Sequence, residues 1–145
     1  VAFDPMEESD FILRATDSPE RLYVRALAAE NIATGEHISI HLEWDRSYLL
    51  YNKGEILYRK LVDPEEPNFN AEQELHIFLR ELRNSVSRSG VLSDPATNSV
   101  GSLEGEDFFE IVEKLKNFTT PVIINATALE DIYTEGPVRI KIDLE

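Results

Sequence analysis

His37 and His41 stand four residues apart, and they are the first residues of this chain to invite a chemical reading. On a helix that spacing would put both rings on one face, in reach of a single metal ion. The stretch around them argues otherwise, because Ile38, Ile40, Leu42 and Trp44 alternate strictly with His37, Ser39, His41 and Glu43. Such alternation is the mark of a half-buried strand, on which residues four apart point the same way but lie about 13 Å from one another. Two solvated histidines on a sheet face are therefore expected, and His76, on the polar flank of a helical pattern, has no better claim.

Carboxylates are abundant, which makes any one of them hard to single out. Glu30 with Asn31, and Glu130 with Asp131, hold equivalent places just before two turns. There an acid or amide closes the bend by accepting backbone hydrogen bonds. The functional alternative brings the two acids together across a pseudo-twofold relation, around a divalent cation. Glu55, Asp63 and Asp143 fall at expected strand ends, where a metal-dependent nuclease gathers its ligands, but their spacing follows no such motif. Ser85, Ser87 and Ser89 lack a G-x-S-x-G elbow, and there is no P-loop, G-x-G-x-x-G or H-E-x-x-H. Absence of Cys removes disulfides, thiolate ligands and Cys nucleophiles. The triplets Asn117-Phe118-Thr119 and Asn125-Ala126-Thr127 satisfy the glycosylation pattern, the second inside an expected strand. No catalytic residue, cofactor or metal site is assigned. Trp44, Tyr48, Tyr51 and Tyr58 remain as a possible partner surface, set against ordinary cross-strand packing.

The elements that carry these residues read as follows. Asp4-Pro5 can start a helix with Phe11, Ile12 and Ala15 on its apolar side, although residues 1–20 are consistent with helix or loop. Strands are expected over 22–32 and 37–44, separated by Thr34-Gly35, and then over 48–51 and 55–62. The last two are joined by a tight hairpin at Asn52-Lys53-Gly54, giving four antiparallel strands in sequence. Asn70 with Gln73 forms a capping-box signature, followed at helical spacing by Leu75, Phe78, Leu79, Leu82 and Val86, with Gly90 at the C-terminal cap position. A loop over 93–105 leads to a second helix over 106–116, then to strands 122–129 and 138–144 about a turn at 133–136. The sum is an α+β fold: about six mainly antiparallel strands with two or three helices packed on them, in one domain of 145 residues.

With 42% hydrophobic residues the chain can build a core, and its 28 acids against 14 bases give a formal charge of -14. That charge argues against nucleic acid and against anionic lipid surfaces, both of which need concentrated Lys and Arg. No apolar run approaches a membrane span, and the start at Val1 is expected of a fragment of a longer protein.

A long-range feature organises the rest. Residues 22–44 return as 122–144 without a gap, with Ala26, Ala28, Glu30, Ile32, Thr34 and Ile40 repeated as Ala126, Ala128, Glu130, Ile132, Thr134 and Ile140. Substitutions between them keep class and alternation, as in Leu42 to Ile142 and Glu43 to Asp143. A duplicated strand-turn-strand unit is expected, with repeat bounds near 4–44 and 104–144.

The segments VRALAAENIATGE, YNKGEILYRKLVDP, the helix ending SRSGVL and ATALEDIYTEGPVRIKIDL together resemble the C-terminal globular part of a bacterial family, domain of unknown function 3084. The similarity runs from about Arg21 to the end, and the A-x-E-x-I-Y-T-x-G-P pattern is its most specific element; residues 1–20 do not match. The resemblance implies a parent with two N-terminal membrane spans and a long coiled coil ahead of this region, which would face the extracytoplasmic side of the envelope. It also implies an earlier counterpart of GEILYRKLVDP and its following helix upstream, and it brings no established activity. The expected function is thus a non-enzymatic module for binding a protein partner or a second copy. Its rival is a metal-dependent hydrolase or degenerate nuclease on a ribonuclease-H-like sheet, which rests on fold analogy alone.

Overall fold

The computed structural model describes residues 20–28, 40–93 and 105–145, with single positions at 9, 12, 13 and 16. The chain divides into two compact units, Val1–Tyr48 and Leu49–Glu145. In the first, Ser9, Ile12, Leu13 and Thr16 are helical, and the Thr16 hydroxyl donates back to the Ile12 carbonyl at 2.6 Å. Strands β1 (Leu22–Ala28) and β2 (Ile40–Arg46) pair antiparallel, closed at one end by Ser47 N–H donating to the Arg21 carbonyl. Glu30, Asn31, the Thr34-Gly35 turn and His37 lie outside the described residues.

The second unit holds β3 (Leu49–Tyr51), β4 (Ile56–Val62), α1 (Ala71–Arg88), α2 (Gly105–Lys116), β5 (Val122–Ala128), β6 (Ile132–Tyr133) and β7 (Ile140–Leu144). The fold is α+β, and every ladder is antiparallel, with seven strands and two labelled helices among the described residues. The strands do not run on as one meander. β3 pairs with β6, while β4, β5 and β7 form a three-stranded sheet in the order β4-β5-β7.

The expected hairpin between β3 and β4 is therefore replaced by a divergence, and the backbone bonds show why. Asn52-Lys53-Gly54 does turn, with Gly54 at φ 84 and Glu55 N–H donating to the Asn52 carbonyl at 3.0 Å. Yet Gly54 N–H donates to the Ala128 carbonyl, and Ala128 N–H donates to the Glu55 carbonyl. The turn is thus docked on the end of β5, so β4 continues along β5 and β3 is left to β6.

Helix α1 forms where its signals stand. Asn70, extended at φ -136, accepts from Gln73 N–H at 3.0 Å, and acids fill the first turn while Arg88 lies in the last. Gly90 follows the Ser89 C-cap at φ 101, a conformation that other residues adopt only with strain. Ala71, Leu75, Phe78, Leu82 and Val86 place one stripe in the core, against Val62, Val122, Ile124 and Ala126 of the sheet and Ile111, Val112 and Leu115 of α2. On β5 the even positions from 122 to 128 are all buried.

The two outer ladders correspond. In the first unit Val24, Ala26 and Ala28 face Trp44, Leu42 and Ile40; in the second Ile124, Ala126 and Ala128 face Leu144, Ile142 and Ile140. Each pair sits one hundred residues from its counterpart, so both ladders have one register.

Candidate functional site

Two of the four candidate aromatics lie on strands whose residues turn toward α1. Tyr58, on β4, packs its ring 5.4 Å from Phe78, and its hydroxyl donates to Glu81 Oε2 at 3.1 Å. Lys60, two residues on and therefore on the same face, reaches Glu81 at 3.3 Å and Glu74 at 3.4 Å. Partial burial opposes ionisation of Glu81, but the hydrogen bonds from Tyr58 and Lys60, with the Lys60 and Arg80 charges, outweigh it and hold its carboxyl below the usual value. Burial and the bond to Glu81 push the Tyr58 phenol up. Tyr51, on β3, shares a hydrogen bond with the Ser89 hydroxyl at the end of α1. Trp44 is half-buried on β2 and Tyr48 is exposed; these two belong to the first unit, Tyr51 and Tyr58 to the second.

The acids of the second turn act separately. Asp131 accepts from Lys53 N–H at 2.8 Å, clamping the 52–54 turn rather than its own, and Glu130 lies 3.5 Å from the Arg139 Nε. Glu55 and Asp63 flank β4 at opposite ends, each accepting from a nearby backbone N–H, and Asp143 pairs with Lys141 at 2.7 Å. Among the described residues no three His, Asp or Glu side chains gather as a metal site. His41 is exposed on β2, and the His76 ring lies 4.8 Å from Phe108.

Two features of the sheet carry no sequence motif. Across its outer face Arg59, Asn125 and Asp143 stand in one row. Asn125 is 3% exposed, and its Oδ1 has no hydrogen-bond partner. At the other margin, β7 is the end strand of its sheet, and a groove runs between it and α2. One end, of about 420 Å³, is lined by Asp107, Glu110 and Leu129 beside Ile140. The other, of about 450 Å³, is lined by Asn117 and Phe118 beside Leu144. On β5 the partners of Ile140, Ile142 and Leu144 are fully covered, yet these three are only half-buried. A Lys on the helix-facing side of β4 opposite two acids seven residues apart was the available signal for the Lys60 network. Nothing local marks Asn125 or the open edge.

The chemistry available here is that of recognition: a backbone edge that no described strand pairs, a groove lined by both apolar and charged side chains, and exposed Leu61, Phe109, Leu129 and Ile56. Comparison with known proteins adds a family match that falls within the second unit. The model of the DUF3084-associated C-terminal helical hairpin matches residues 51–144. An uncharacterised protein of Nostoc sp. is 25% identical over 121 residues, covering 82% of this chain and 23% of the relative. The chain thus spans less than a quarter of the length of that curated relative. No solved structure matches it. Since the family model covers more than half of the chain, including every strand of the β4-β5-β7 sheet and both labelled helices, the chain belongs to the DUF3084-associated C-terminal domain family.

Proposed function

We propose that this domain is a non-enzymatic module for protein interaction or self-association, carried by a membrane-anchored coiled-coil protein of the bacterial envelope and held on its extracytoplasmic side. The observation that carries the reading is the margin of the β4-β5-β7 sheet, where a strand edge with no partner among the described residues, a groove of mixed apolar and charged lining and exposed Leu129 lie together. Local engagement of Glu55, Asp63, Asp131 and Asp143 supports a binding rather than a hydrolytic role. Matched registers of the β1-β2 and β5-β7 ladders support descent from one duplicated unit. The anchored parent rests on the family resemblance. Among the described residues no helix is long and apolar enough to cross a membrane, so the anchor is assigned elsewhere in the parent.

Photo-crosslinking in the native envelope tests this reading, with a probe at exposed Leu129 or Phe109 of the full-length protein and at Glu72 as a polar control. Discrete protein adducts, to a partner or to a second copy, are expected from the apolar positions above the control. Equal or absent adducts at all three would end the proposal.

A further inference from the structure

The backbone groups on the outer edge of β7 are set by the ladder it makes with β5. Ile123 and Glu145 exchange both backbone hydrogen bonds, at 2.7 and 3.0 Å, and Leu129 N–H donates to the Arg139 carbonyl at 3.0 Å. The odd residues of β7 therefore point their N–H and C=O groups at β5. By the alternation of an antiparallel ladder, Ile140, Ile142 and Leu144 point theirs away, to a side where no described strand lies. The side chains of these same three residues face the groove beside α2.

The sequence along that edge is Ile140-Lys141-Ile142-Asp143-Leu144, apolar at each end and in the middle, with opposite charges either side of the centre. A charge on an edge strand ordinarily discourages pairing. Here antiparallel pairing of two copies about Ile142 sets Lys141 of each opposite Asp143 of the other. Residues 140 and 144, and the two 142s, then form the hydrogen-bonded pairs that their outward backbone groups require. Lys141 and Asp143 form the non-hydrogen-bonded pairs, in which side chains come closest. A one-residue slip brings inward-pointing backbone groups to the interface, and a two-residue slip sets Asp143 against Asp143 or Lys141 against Lys141 at its centre, so the register about Ile142 is the one with no like-charged pair.

The neighbouring helix follows the same symmetry. α2 runs beside β7 in the same sense, with Asp107 and Glu110 near Ile140 and Asn117 near Leu144, and Lys114 between. The two-fold axis sets the acidic start of one α2 toward the Lys114-bearing end of the other.

We infer that the β7 edge, with the groove it shares with α2, is a homodimerisation face on which two copies of this chain join their three-stranded sheets into one six-stranded antiparallel sheet, β7 against β7. This deepens the self-association arm of the function proposed above and rests on that reading. The dimer is isologous and closes on itself, burying the half-covered apolar residues of β7 on both sides.

The test is sedimentation equilibrium of the 145-residue chain near physiological salt, where a screening length of about 8 Å mutes the repulsion of the net charge but spares pairs in contact. The unaltered chain is expected to dimerise. Lys141→Asp and Asp143→Lys, each with two like-charged pairs at the interface, should dimerise on the order of ten-fold more weakly. Mixing these two variants should restore association as a one-to-one heterodimer, and the double variant Lys141→Asp/Asp143→Lys should dimerise as the original does. Far-UV circular dichroism checks that each variant is folded, and restoration by the partner variant could not arise from misfolding. A monomer at every soluble concentration overturns the inference, as does a dimer indifferent to both reversals. A monomeric chain that still gives crosslinked adducts at Leu129 or Phe109 overturns this pairing while the interaction reading stands; a monomer with no adducts removes both.

Discussion

At the scale of single residues, the unpaired Asn125 carbonyl and the Tyr58–Glu81 bond set the clearest expectations. A buried acceptor without a donor costs on the order of 1 kcal/mol or more, and a central strand favours β-branched side chains. Asn125→Val is therefore expected to stabilise the fold by about 1 kcal/mol, read as a rise of a few degrees in Tm. An unchanged or lowered midpoint would show that the Asn125 amide is satisfied in solution. The folded-state pKa of Glu81 lies below its ordinary 4.5, so its stabilising contribution holds above that value and is lost as pH falls through the lowered one. For Tyr58 the folded value lies above 10.0, so its contribution holds below pH 10 and is lost as pH rises through the raised one. Tyr58→Phe should make the profile of Tm against pH flatter at both limbs. Parallel profiles for the two proteins would remove this bond from the account.

Elements are held in place by backbone bonds that side chains complete. Asp131 accepts from Lys53 N–H across 78 residues of sequence and fastens the 52–54 turn to the end of the sheet. Glu130, its neighbour, makes only an exposed ion pair with Arg139, whose side chain is 68% exposed. Asp131→Ala should therefore cost about 1 kcal/mol, whereas Glu130→Ala should change stability little. Chemical denaturation of both variants decides the matter, and equal losses would mean that the clamp does not stabilise the turn. The same docking accounts for the parting of β3 and β4, because a turn whose Gly54 N–H is given to Ala128 is oriented by β5 rather than by the strand before it.

For the molecule as a whole, the buried hydrophobic residues among those described all lie between Leu57 and Val138, inside the second unit. A chain of residues 49–145 is accordingly expected to fold and to unfold in one cooperative transition, with helical dichroism retained. A gradual, non-cooperative melt of that chain would contradict it. Net charge of -14 repels one copy from another over distance, which leaves association to local matches such as the Lys141 and Asp143 pairs.

Periodicity is a local property, and what depends on it was legible in the sequence: the α1 stripe from Leu75 to Val86, its Asn70 cap, the alternating β5 and β7 strands and the turn at Gly54. The β1-β2 and β5-β7 ladders have the same register at an offset of one hundred residues, a correspondence of pairing not read from the sequence. Choice of strand partner was not legible, since β3 and β6 are two or three residues long and their alternation fits many neighbours. Burial of Asn125 on the outer face, capture of the 52–54 turn by Asp131 and a β7 margin that no described strand pairs were likewise decided only in three dimensions. Each depends on which distant segment arrives alongside. A sequence pattern specifies the face a side chain takes, whereas tertiary packing determines what that face and its backbone edge meet.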